Sequence, residues 1–211
     1  MVRRRWTGSM VWDGRELGAS ENWVFNLDQD DLQQIADAVA ISEKSGKTLG
    51  DLGRSDFPFS AFGRRLIELR HSILNGLGFA LIRGLSTYPW TNDEQLVRAY
   101  WGMGRWLGDP VPQNAKAHLL GHVIDQRKPQ SDETRTYQTN LAQPFHSDSC
   151  DTVGLLCLRK ARRGGRSAIA SSAAIHNALL ENSPELRERG ELSRRRGPRS
   201  LRCRNPHGRR R

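Results

Sequence analysis

The last 22 residues set the first bound on what this chain can fold into. Residues 190–211, GELSRRRGPRSLRCRNPHGRRR, hold nine Arg against one Glu, with two Leu and no aromatic. So little apolar surface cannot offset the entropy of ordering the backbone, so this segment is expected to be a disordered basic tail. Any core must then come from residues 1–189, which we read as one domain with the tail appended. The tail also holds most of the charge: of the net +10, it carries +8 and the remaining 189 residues only +2. Three readings of it stand open. It is a basic arm that binds nucleic acid or an acidic surface. It is a solvated tail with no partner. Or it is the Arg-, Gly- and Pro-rich product of a GC-rich gene read in a shifted frame.

With 36% hydrophobic residues among 211, the chain has enough apolar surface for a core. No run of about 18 apolar residues is present, so no membrane-spanning helix is expected. The start, Met-Val-Arg-Arg-Arg-Trp-Thr-Gly, leads into no apolar stretch of the secretory kind. Three cysteines (Cys150, Cys157, Cys203) form no CxxC pair, which favours a reducing, cytoplasmic setting over a disulfide framework.

Hydrophobic spacing places helices first and strands later. Leu32, Ile35, Ala36, Val39 and Ala40 repeat at helical intervals behind Asp28, Asp30 and Asp31, acids suited to a helix N-terminus. A second helix is expected over 60–75, with Phe62, Leu66, Leu69 and Ile73 on one stripe and Gly76 to end it. Phe79–Ile82 reads as a short buried strand. Thr91-Asn-Asp-Glu94 has the form of a capping box and opens a third helix carrying Leu96, Val97, Tyr100, Trp101 and Leu107. Residues 118–125, 154–159 and 167–171 read as strands, the last two flanking a Gly164-Gly165 turn. A final helix from Ser172 carries Ala174, Ile175, Ala178 and Leu179. The fold class is α+β.

Phe145-His146-Ser147-Asp148 carries the candidate chemistry. A His and a carboxylate two apart on an extended strand share a face and can grip one cation. Two His and one carboxylate with open positions hold Fe(II) in non-heme oxygenases. The pair alone is weak: six His and thirteen Asp in 211 residues give roughly 0.37 chance occurrences. His118 and His122 lack the Glu of a zinc-protease helix and read as surface histidines, His176 as a structural one. Cys150 and Cys157 read as small buried hydrophobes. Asn140, just upstream of the pair, also lies near this segment.

The order of features from Thr139 to Leu180, TNLAQPFHSDSCDTVGLLCLRKARRGGRSAIASSAAIHNALL, resembles the TauD/TfdA-like family of Fe(II)- and 2-oxoglutarate-dependent dioxygenases. Gly78-Phe-Ala-Leu-Ile-Arg-Gly84 and the early helices also look like that family's N-terminal half. The resemblance implies an incomplete double-stranded β-helix (jelly roll) preceded by N-terminal helices. It implies His146 and Asp148 as the first two iron ligands, and Ser167, after the Gly-Gly turn, as the hydroxyl that helps hold 2-oxoglutarate. The implied activity oxidises a small-molecule substrate while 2-oxoglutarate becomes succinate and CO₂. The family's third ligand, a distal His, and its Arg for the far carboxylate of 2-oxoglutarate have no counterpart. Only 63 residues follow Asp148, 22 of them tail, whereas eight strands at about 8 to 12 residues each need roughly 64 to 96. The expectation is therefore a truncated roll of low or no activity; the alternative is a non-enzymatic basic protein binding nucleic acid through its tail.

Overall fold

The structure, a computed structural model, describes residues 4–114, 117–124, 141–148 and 150–182. The basic tail, residues 125–140, Cys203 and His207 lie outside the described residues. The described residues form two compact units, one made of residues 4–17 with 170–182, the other lying within Gly18–Ile169.

The larger unit is built on three helices, α2 (Gln29–Lys44), α3 (Ala61–Asn75) and α4 (Asp93–Leu107), with a short α1 (Gly14–Gly18) in the other unit. Each is amphipathic, and their apolar stripes meet in one core of Leu32, Ile35, Val39, Phe62, Leu66, Ala99 and Trp101, closed by Phe57 and Phe59. Full burial of each large side chain contributes roughly 1.5–3 kcal/mol, far more than local helix propensity. The α2 stripe is shifted from the sequence reading: Ala38 and Ser42 are buried, Ala36 half-buried and Ala40 exposed. Gly46 ends the helix in the left-handed region, at φ 68°.

The α2 start is held tightly. Asp28 caps it in a reciprocal box with Asp31: the Asp31 N–H donates to Asp28 Oδ1 at 2.8 Å and the Asp28 N–H to Asp31 Oδ2 at 3.1 Å. Asp31 is only 3% exposed, and its charge is met by Arg65 of α3, which also reaches Asp28 Oδ2 and the Asn26 carbonyl. Nearby, a hydrogen bond from Lys47 Nζ (2.6 Å), with the Gly53 N–H, holds the Asp56 carboxyl below the usual carboxylate range. On α4 the cap is Asn92, not Thr91. Asn92 Oδ1 accepts from the Gln95 N–H at 2.9 Å, and Gln95 Oε1 accepts from the Thr91 backbone and hydroxyl. Asparagine outranks threonine as a cap, which moves the box by one residue.

One sheet is present among the described residues, a parallel pair of β1 (Val24–Asn26) and β2 (Leu81–Arg83) in register Phe25↔Ile82. A parallel pair needs a long crossover, and α2 and α3 supply it. The architecture is thus mixed helix and sheet. The strands expected within 118–124, 154–159 and 167–171 do not form there. Strands exist only as ladders, and among the described residues these segments gain no ladder: 118–124 takes a single bond, from the Gln113 N–H to the His118 carbonyl at 2.7 Å. Their apolar side chains stand out instead: Val123 is 67% exposed, Leu155 76% and Ile169 56%.

In the smaller unit α5 (Ser172–Asn182) buries Asn177 and Leu180 rather than the expected Ile175, Ala178 and Leu179. The reason is polar. Asn177 accepts from the Trp6 N–H and donates to the Trp6 carbonyl, both at 2.9 Å, pairing its amide with the main chain as a strand would. Ser171 Oγ, at the start of α5, donates to the Met10 carbonyl at 2.5 Å, and Arg5 pairs with Glu181. Losing two such bonds costs about 2 kcal/mol, or roughly 30-fold in a local opening equilibrium. Asn177→Ala should accordingly speed exchange of the Trp6 amide about 30-fold, read by hydrogen exchange, while amides of α2 keep their protection.

Candidate metal centre

His146 and Asp148 sit in an irregular segment, not on a strand, among the described residues. They nevertheless converge. His146 Nε2 stands 3.9 Å from Asp148 Oδ1, with the two side chains 48% and 53% exposed. Local hydrogen bonding orients the imidazole. Its Nδ1 lies 2.9 Å from the Pro144 carbonyl, which can only accept, so Nδ1 carries a proton, and in the neutral ring Nε2 then keeps the lone pair. That lone pair faces Gln143 Nε2 at 3.2 Å and the Asp148 carboxylate.

The donor set suits a divalent transition metal: a neutral imidazole whose far nitrogen is tied to a carbonyl, beside an anionic oxygen. Metal bonds of about 2.1 Å to one nitrogen and one oxygen span at most about 4.2 Å, so the 3.9 Å separation is within the reach of one ion. Neighbouring corners of an octahedron would bring them to about 3.0 Å, a shift that half-exposed side chains make by rotation. Gln143 and the Pro144 carbonyl were not singled out from the sequence. Their signal is a position two or three residues before a candidate ligand, where a turn lets the chain fold back on the ring.

Among the described residues none of the remaining candidates shares a hydrogen bond or ion pair with His146 or Asp148. Gly164 and Gly165 form the expected turn, both at positive φ (73° and 69°), and Ser167 follows it, exposed, with no hydrogen bond to His146 or Asp148. His176 packs edge-on against Trp6, with ring centroids 6.5 Å apart. His118 is exposed and bonded to Asn114. The cysteines correct the sequence reading: Cys157 is exposed and Cys150 half-buried, because the strands that would cover them do not form. Asn140 lies outside the described residues. Among the described residues no three His, Cys, Asp or Glu side chains gather at one point. A cavity of about 580 Å³ beside the start of α4, lined by Tyr88, Trp90, Asp93 and Arg159 among others, includes neither member of the pair.

The model of the family described as taurine catabolism dioxygenase TauD, TfdA family matches residues 43–204. The chain belongs to the TauD/TfdA family. The match covers α3, the β2 strand, α4, the His146–Asp148 pair and α5, and runs into the Arg-rich segment. Two curated relatives are similar over most of this chain. FR-33289 synthase of Streptomyces rubellomurinus is 32% identical over 188 residues, which is 88% of this chain and 55% of the relative. The taurine hydroxylase-like protein SAT17 of Stachybotrys chartarum is 27% identical over 187 residues, 85% of this chain and 48% of that protein. The chain therefore spans about half the length of the curated relatives it matches. TauD/TfdA membership gives no support to the nucleic-acid alternative. No helix among the described residues is long and apolar enough to cross a membrane.

Proposed function

We propose that this chain carries part of the centre of an Fe(II)- and 2-oxoglutarate-dependent dioxygenase acting on a small-molecule substrate. Residues 1–189 form the dioxygenase part and 190–211 a basic tail. The observation that supports this best is the aim of His146 Nε2 at Asp148 Oδ1, 3.9 Å apart, within a family match that spans the pair. In this reading Nε2 and the carboxylate hold Fe(II), which when bound supplies the site where O₂ and 2-oxoglutarate react. The Pro144 carbonyl keeps the imidazole in the metal-binding tautomer, Gln143 gives up its bond to Nε2, and the Ser167 hydroxyl donates to a 2-oxoglutarate carboxylate.

Two protein donors hold iron less well than three, and no third stands beside them among the described residues. The 211-residue chain should thus bind Fe(II) weakly and form little or no succinate. Anaerobic Fe(II) titration, followed by 2-oxoglutarate and O₂ with succinate quantified, tests this. Saturable weak binding with little succinate is the expected result. Robust succinate formation would overturn the low activity, and absence of any Fe(II) binding would overturn the site.

A further inference from the structure

The turn that leads into α4 is tied at several points. The Thr87 N–H and hydroxyl both donate to the Gly84 carbonyl, at 2.9 and 2.6 Å, and the Trp90 indole N–H donates to the Leu85 carbonyl at 2.7 Å. Thr91 is fastened to Gln95 through its main chain and its hydroxyl. The cavity of about 580 Å³ that this turn forms with the start of α4 and Arg159 therefore rests on restrained main chain, and its size is that of a small-molecule site. Its lining has two characters. Tyr88 and Trp90, with ring centroids 4.7 Å apart, and Leu96 supply apolar surface. The one polar atom of Trp90 is spent on Leu85, so the ring meets the cavity as an apolar body. Asp93 and Arg159 supply charge, paired at 2.9 Å with side chains 53% and 76% exposed.

The two charges select the ligand. A simple anion would gain Arg159 but meet the Asp93 carboxylate, and a simple cation would meet the reverse. A molecule with both signs on neighbouring atoms satisfies both. Each partner has capacity for it: a guanidinium carries five N–H donors and a carboxylate accepts about four bonds, so the existing ion pair uses a fraction of each. We propose that this cavity binds an α-amino acid with an apolar side chain. Its carboxylate lies on Arg159, its ammonium on Asp93, and its side chain against Tyr88, Trp90 and Leu96. The site goes beyond the Fe(II) centre, since neither His146 nor Asp148 lines it.

Isothermal titration of the full, metal-free chain with L-phenylalanine tests this. Saturable binding with a Kd of about 1 mM or tighter is expected. Phenylpropionate, which lacks the ammonium, and phenethylamine, which lacks the carboxylate, should each bind at least about tenfold more weakly, because one charged partner is then left unmet. L-Alanine should be weaker as well, for want of a side chain to cover the rings. Asp93→Asn and Arg159→Gln should each weaken L-phenylalanine binding at least about tenfold with unchanged helical circular dichroism. His146→Ala should bind it as the parent does, so failure of the iron reading would leave this site standing. Absence of saturable binding, phenylpropionate binding as tightly as L-phenylalanine, or parental affinity in either charge variant would each overturn the proposal.

Discussion

His146→Ala should abolish measurable Fe(II) binding, and Asp148→Ala should do the same. Each removes one of only two donors, and nothing else among the described residues stands ready to replace it. Loss of a group that merely supports a ligand typically costs 10–100-fold in metal affinity, so loss of a ligand itself costs about 100-fold or more. Starting from weak binding, that falls below detection. Gln143→Ala should behave differently. Its amide stands 3.2 Å from the Nε2 lone pair and must leave when metal arrives, so its removal should keep the affinity or raise it a few fold. His118→Ala, a change at an exposed imidazole bonded to Asn114, should leave the titration unchanged. Equal losses in all four variants would mean that the metal binds imidazoles indiscriminately, and the centre would be lost with that result.

The helices of this molecule were legible because their signal is local. α2, α3 and α4 begin and end within about two residues of where period and punctuation put them. What failed was whatever depends on a neighbour. The Val24–Asn26 strand is three residues long and carries no periodic signature; it exists because β2 lies beside it. The later segments have the β-branched and apolar residues of strands, but propensity without a ladder partner makes none. Asn177 carries no apolar signal, since it is a polar residue buried by its bonds to Trp6. The cap on α4 lies one residue beyond the sequence expectation because Thr91 and Asn92 both qualify by type, and only geometry ranks them.

The same division runs through the metal centre. The spacing of His146 and Asp148 was legible, and so was the Gly164-Gly165 turn. The tautomer was not, because it depends on a carbonyl two residues back that presents itself only through a local turn. Nor was the convergence of the pair legible for the right reason. On a strand both side chains would share one face, whereas here they meet from an irregular segment. An irregular segment can bring residues i and i+2 together as well as a pleat can.

Gly102→Ala should destabilise the protein by about 2 kcal/mol although it improves an α-helix. In an exposed helix interior Ala is favoured over Gly by about 1 kcal/mol. At position 102 of α4 the new Cβ would fall onto the Phe57 ring, inside van der Waals contact with Cδ1 and 2.8 Å from Cε1 and Cγ. Phe57 is 0% exposed and is packed against Phe59, while the preceding residue of α4, Trp101, is tied by its indole N–H to the Leu52 carbonyl at 3.0 Å. Neither ring nor helix has room to retreat, so overpacking costs about 3 kcal/mol and outweighs the propensity gain. Gly104→Ala, two residues on in the same helix, meets nothing within 4 Å and should stabilise by up to about 1 kcal/mol. Urea unfolding of the two variants should therefore show shifts of opposite sign. Phe57→Leu, destabilising alone, should cost less in the Gly102→Ala background, a coupling that a double-mutant cycle measures. If both glycine variants stabilise, helix propensity governs α4 and the close approach of Phe57 to Gly102 does not constrain the core.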